Sequence, residues 1–144
     1  MLLWSSLVAF ADEPVEVASL PAPVSATLAS RWPAAKAVSA ARDDGDFEVV
    51  LTEGERRFEV VVHPDGAWVE TEEVVALDAL PAPVKAAVHG TLVRAERTTS
   101  AAGVVVYEVL VERDGKLSEV KVDATGKVAG EPPSETDEEN DGDE

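Results

Sequence analysis

The sequence predicts an α+β protein of two tandem repeats, each one helix packed on a four-stranded antiparallel sheet, the two sheets either standing apart or joining into one continuous eight-stranded sheet. Three observations lead there. Laid on itself with an offset of 60, the chain repeats Leu20-Pro21-Ala22-Pro23-Val24 unchanged as Leu80-Pro81-Ala82-Pro83-Val84. The same ungapped register matches Glu48-Val49 with Glu108-Val109, Glu59-Val60 with Glu119-Val120, Val62 with Val122 and Gly66 with Gly126. Coincidence in an Ala- and Val-rich chain would not hold one register through a proline motif, strands and a turn glycine. Behind each proline motif comes an apolar stripe at helical spacing, then runs in which apolar and polar residues alternate.

Taken in order, Met1 to Ala11 is expected to be a signal peptide. Leu2 to Phe10 is almost wholly apolar, Ala9-Phe10-Ala11 has the small-x-small form of a cleavage site, and the stretch is too short to span a membrane. No Lys or Arg precedes the apolar run, so the alternative of an N-terminal element packed on the core, Trp4 included, stays open. Residues 12–18 are expected to be a linker, 19–78 the first repeat, 79–130 the second and 131–144 a disordered tail.

Within the first repeat, Pro21 and Pro23 suit the first turn of a helix, where backbone N–H groups have no intrahelical acceptor. Val24, Leu28 and Trp32 then form an apolar stripe, and Pro33 stops the helix at Trp32. In the second repeat the stripe is Val84, Val88 and Leu92. Short strands follow at Ala37 to Arg42, Phe47 to Thr52, Arg57 to His63 and Ala67 to Glu70, separated by Asp43-Asp44-Gly45, Glu53-Gly54 and Pro64-Asp65-Gly66. Their counterparts run Arg94 to Thr99, Val104 to Glu112, Leu117 to Asp123 and Lys127 to Ala129.

Alternation sorts the faces. Phe47, Val49, Leu51, Phe58, Val60 and Val62, with Tyr107, Val109, Val111, Val120 and Val122, make the core side. The other side carries Glu48, Val50, Arg57, Glu59 and Val61 in the first repeat and Glu108, Leu110, Leu117, Glu119 and Lys121 in the second. A solvated face studded with aliphatics is either a partner surface or a consequence of the strand preference of β-branched residues. As a partner surface, these ten residues are the candidate site.

Composition limits the partner and the chemistry. Among 144 residues, 12 are basic and 29 acidic, for a net charge of −17, which repels nucleic acid and anionic membranes. With no cysteine there is no disulfide, thiolate metal site or cysteine nucleophile. His63 and His89 are the only histidines; their positions at element ends suit surface or capping roles. No Gly-x-Ser-x-Gly elbow, Ser-x-x-Lys motif or phosphate-binding glycine loop occurs. The expectation is a non-enzyme without cofactor. Asp137, Glu139 and Asp141, at alternate positions before Gly142, are a weak calcium alternative, as is the Asp43-Asp44-Gly45-Asp46 turn. The tail from Glu131 to Glu144 holds eight of the carboxylates and reads more simply as a solvated polyelectrolyte.

The Leu-Pro-Ala-Pro-Val motif, Trp32-Pro33-Ala34-Ala35, the Phe47-Glu48-Val49 strand and Asp65-Gly66-Ala67-Trp68 resemble the PepSY-like domain of bacterial secreted and periplasmic proteins. The tandem arrangement resembles the β-lactamase-inhibitor-protein fold. The second copy departs from the pattern, with Leu92-Val93 for the Trp-Pro pair and Val128 in the place of Trp68. The resemblance implies an extracytoplasmic, non-catalytic binding or inhibitory module, whose partner is an extracytoplasmic protein or peptide. It also implies a core-sealing role for Trp68, with ligand stacking by Trp32 and Trp68 the less favoured alternative.

Overall fold

A computed structural model describes residues 12–129. The expected signal peptide and acidic tail, with Asp137, Glu139 and Asp141, lie outside the described residues. In chain order the elements are β1 (Glu13–Val15), α1 (Ala22–Arg31), β2 (Lys36–Asp43), β3 (Asp46–Glu53), β4 (Arg56–Val62), β5 (Trp68–Val75), α2 (Ala82–Ala87), β6 (Thr91–Ser100), β7 (Val105–Arg113) and β8 (Lys116–Asp123). The strands form one sheet in the order β1 to β8.

This overturns the expectation of two repeats, each with a helix on its own four-stranded sheet. The described residues are mostly sheet, one continuous eight-stranded antiparallel sheet, and among them only α1 is a helix of more than two turns. Three local causes account for the difference. Helix α2 stops after six residues because Val88 turns extended (φ −107, ψ 124) and Gly90 takes φ 118. A Cβ at Gly90 would come within 2.7 Å of the Val111 side chain and 2.8 Å of the Glu112 carbonyl oxygen. The β-branched Thr91 and Val93 then favour strand, and Leu92, expected on the helix stripe, lies in β6. Next, β5 runs on past Glu70, where the strand was expected to end, through Thr71-Glu72-Glu73-Val74-Val75. Finally, the strand expected at Lys127 to Ala129 shrinks to one bridge between Val122 and Val128. Residues 12–18, expected as linker, contain β1, which pairs Glu13 with Arg42 and Val15 with Ala40.

The described residues belong to two compact units, one within Met1–Val74 and Glu96–Val105, the other within Val75–Ala95 and Val106–Glu144. In the first, Leu20 and Val24 pack against Ala40, Phe47, Val49, Leu51, Phe58, Val60 and Val62, with Leu28 and Trp32 closing the margin. Val24 is wholly buried, which is worth about 2 kcal/mol. Trp32 meets Phe58 and Trp68 with ring centroids 6.2 and 6.1 Å apart, both tilted or edge-on as aromatic quadrupoles prefer. In the second unit Leu80, Val84, Val88, Ala95, Tyr107, Val109, Val111 and Val122 are buried, while Val120 is only partly so.

Gly66 ties α1 to its sheet. The Thr27 hydroxyl donates to the Gly66 carbonyl at 2.5 Å and reaches the Pro23 carbonyl at 3.1 Å. Thr27→Val, nearly isosteric, is therefore expected to cost about 1 kcal/mol in urea denaturation, the usual net worth of one such bond; a neutral result would mean the bond is replaced by water at no loss.

Candidate functional site

In the first unit, register builds the open face from four consecutive strands, β2 to β5. Across β3 and β4, Glu48 lies beside Val61, Val50 beside Glu59, and Thr52 beside Arg57. On β2, Ala41 neighbours Glu48 and Ser39 neighbours Val50. On β5, Glu72 neighbours Glu59 and Glu70 neighbours Val61. All five site residues expected in the first repeat, Glu48, Val50, Arg57, Glu59 and Val61, therefore share one face. Glu48, Val50, Glu59 and Val61 are half-buried and Arg57 is exposed.

The electrostatics of this face follow from crowding like charges on a partly desolvated sheet. Burial, then the charges of Glu59, Asp12 and Asp43 and a hydrogen bond to Glu59, push the Glu48 carboxyl from its ordinary 4.5 up to about 8. Glu59 is also pushed up, chiefly by burial; the bond from Glu48 opposes the rise, while Asp12, Glu96 and Glu70 add to it. At neutral pH Glu48 holds the proton and donates it to Glu59, so the pair titrates as a unit. Glu96 on β6 is only 5% exposed, and its carboxylate approaches that of Glu72 within 4.8 Å. The carboxylate oxygens of Asp12, Asp43 and Glu48 come equally close, near enough to share one cation.

Sequence reading missed Asp12, Glu70, Glu72 and Glu96 as members of this face. Glu70 and Glu72 could have been found from the repeated Glu at alternate positions, had β5 been extended; Glu96 could not, because only tertiary pairing brings it beside Glu72.

In the second unit, Glu108 pairs with Lys121, Leu110 with Glu119, and Glu112 with Leu117. The Lys121 ammonium bridges to the Glu108 carboxylate at 3.0 Å. Leu117 is 62% exposed, and Leu110 is half-buried. The five candidates Glu108, Leu110, Leu117, Glu119 and Lys121 thus also share a face, one whose charges are mixed. His63 pairs with Asp46 through Nδ1, which raises the imidazole pKa, and the Arg113 guanidinium caps the His89 carbonyl.

No family model matches the sequence, and no curated protein matches it. Solved structures do match. A protein of the family designated DUF2874 from Bacteroides ovatus is 19% identical with a TM-score of 0.70, covering 78% of this chain and 86% of that one. A protein from Bacteroides eggerthii, provisionally described as periplasmic, is 18% identical with a TM-score of 0.68, covering 75% and 84%. A BLIP-like protein from Bacteroides fragilis is 18% identical with a TM-score of 0.66, covering 78% and 85%. The fold is BLIP-like. At these identities the likeness is one of fold, and the site has to be argued from its own residues. Among the described residues no helix is long and apolar enough to cross a membrane.

Proposed function

We propose that this chain is an extracytoplasmic, non-catalytic binding protein whose open sheet face docks a positively charged protein or peptide. The observation that carries the reading is the crowding of carboxylates in the first unit: Glu59 lies directly beside Glu72 and holds a proton-sharing bond with Glu48. Like charges placed side by side on a sheet cost stability, and such local conflicts concentrate where function retains them. Val50 and Val61, interleaved with the carboxylates, supply the apolar contacts that a purely solvated face would lack. The BLIP-like and provisionally periplasmic neighbours, together with the PepSY-like motif, support an extracytoplasmic binding role. Inhibition or chaperoning of an envelope enzyme is the sharpest form of it.

A photo-crosslinker at position 61, with a reference on the exposed helix residue Ala29, is expected to capture a basic partner from position 61 alone. The affinity for that partner should fall at least tenfold in Val61→Arg and in Leu110→Arg, with thermal unfolding little changed. Equal capture from both positions, or unchanged affinity in both variants, would sink the open-face reading. A second reading, a calcium-responsive acidic module, draws on the approach of Asp12, Asp43 and Glu48. Calorimetry separates the two, since only the second expects saturable calcium binding that Asp43→Asn abolishes.

A further inference from the structure

The helix side of the first unit carries the opposite charge. Residues 1–78 hold 15 acidic and only 5 basic side chains, yet a cavity of about 210 Å³ is lined by Arg31, Arg56 and Arg97, with Trp32 and Trp68 as walls and Glu73 as its only carboxylate. These are three of the chain's seven arginines. The cavity lies where the last turn of α1 meets the start of β4, β5 and the part of β6 that belongs to this unit.

Its internal bonds leave positive charge to spare. Glu73 accepts from Arg56 in the two-pronged manner, Nε at 2.7 Å and Nη2 at 3.1 Å, and from Arg97 Nη2 at 3.2 Å. One carboxylate thus anchors two guanidiniums, and the pairing holds its pKa below the ordinary carboxylate range. The Arg31 guanidinium carbon stacks 4.3 Å from the Trp68 ring centroid, and among the described residues no carboxylate pairs with it. Trp68 Nε1 donates to the Thr71 hydroxyl at 3.1 Å, which fixes the ring that carries Arg31. Three guanidiniums against one carboxylate leave a surplus of two positive charges in a cleft with aromatic walls. The Arg56 and Arg97 side chains remain 46% and 40% exposed, so donors of the fork are within reach of an incoming group.

We propose that this cleft binds a single carboxylate of a peptide, an aspartate or glutamate side chain, between Arg31 and Arg97, its methylenes lying against Trp32 and Trp68. Planar guanidinium forks match a carboxylate in geometry, and the aromatic walls suit the short apolar stem behind it. The surplus charge attracts a dianionic phosphate as well, so inorganic phosphate is the competitor against which the carboxylate is tested. The chain's overall acidity does not forbid the contact, since charges beyond about 8 Å are screened at physiological ionic strength. Two sources offer such a carboxylate, a separate acidic peptide or this chain's own segment from Glu131 to Glu144. The cleft lies on the side of the sheet opposite to Glu48 and Glu59, so it stands whether or not the open-face reading does.

The test is a titration of full-length protein carrying Trp4→Phe, so that emission reports Trp32 and Trp68, with a blocked pentapeptide containing one central glutamate. The expected result is a saturable emission change, at least tenfold weaker for the glutamine-containing peptide and at least fivefold weaker in Arg31→Gln and Arg97→Gln proteins whose far-ultraviolet circular dichroism is unchanged. A full-length variant with the eight tail carboxylates converted to amides distinguishes the sources. Tighter peptide binding in that variant, or binding only there, makes the tail the competing occupant; equal binding leaves the cleft to a separate peptide. No saturable response in either protein, an equal response to both peptides, arginine variants that bind as well as the parent, or tighter binding of inorganic phosphate would each overturn the proposal.

Discussion

Gly66→Ala is expected to lose about 3 kcal/mol of stability, against about 1 kcal/mol for Gly54→Ala, in urea denaturation at fixed pH. Both glycines have positive φ, 94 and 61, so each variant pays the left-handed penalty of an L residue. Only at Gly66 is there also a collision. A Cβ there would stand 2.7 Å from the Pro23 carbonyl oxygen and 3.0 Å from the Thr27 hydroxyl, whereas at Gly54 nothing lies within 4 Å. The Pro23 carbonyl belongs to the first turn of α1 and cannot move without lifting Val24, which is fully buried. Relief must come from the helix backing off its sheet, which opens a cavity under Leu20 and Val24. Gly126→Ala should behave in the same way, since its Cβ would meet the Pro83 carbonyl oxygen at 2.6 Å. Equal losses at Gly54 and Gly66 would show that backbone conformation, and not helix contact, sets the cost.

Those two close approaches also explain what was legible in the sequence and what was not. The proline motifs and the turn glycines recur 60 residues apart, and both can be read without a structure because each acts locally, through a helix start or a positive φ. The two faces of β3 and β4 were legible for a similar reason, since period-two alternation follows from backbone geometry alone. Interruptions of those periods were not. A register shift between Val61 and Val62 places Trp68 beside Val62, on the helix side with Thr71 and Glu73, while Glu70 and Glu72 face the other way. No alternation rule run through Ala67 to Val75 anticipates that. The end of α2 was hidden because Leu92 satisfies helical spacing, and only the tight fit of Gly90 over Val111 reveals why the chain turns away first.

The same bookkeeping of faces sorts charge within the first unit. Adjacent residues Arg56 and Arg57 part company on β4, Arg57 joining Glu59 and Val61 on the open side, Arg56 joining Phe58 and Val60 on the helix side. Arg57 was legible in the sequence as an open-face residue, whereas nothing local marks Arg56. Yet it is Arg56 that Glu73 anchors, and through Glu73 that Arg97 is drawn in. Glu48, Glu59, Glu70 and Glu72 collect on one side and Arg31, Arg56 and Arg97 on the other, which net charge alone cannot disclose.

The stability of the protein should fall as pH rises from about 5 to about 8.5, and Glu48→Gln should remove most of that slope. The sign follows from proton counting. The Glu48 carboxyl titrates near 4.5 in the unfolded chain and near 8 in the fold, so between those values the native state binds the extra proton. Stability with this origin is fully present below pH 4.5 and is lost as pH climbs through 8. Above that, ionised Glu48 and Glu59 face each other with Asp12 and Asp43 nearby, and Glu70 and Glu96 add to the field at Glu59. Because the face is partly open to water, the effect is on the order of 1–2 kcal/mol, well below what the full displacement of the pKa would give. A glutamine at position 48 keeps an N–H donor for the Glu59 carboxylate and cannot ionise, so the variant should match the parent at pH 5 and exceed it at pH 8.5. His63 slopes the same way, its raised pKa giving stability that is lost as pH rises through it, while Glu73, held low by Arg56, loses its contribution only as pH falls below the ordinary carboxylate range. Both remain in the variant, so the difference between the two proteins isolates the Glu48 carboxyl. Parallel pH profiles for parent and Glu48→Gln would show that the carboxylate pair does not share its proton in the fold, and with that the electrostatic argument for a retained, strained binding face would lose its support.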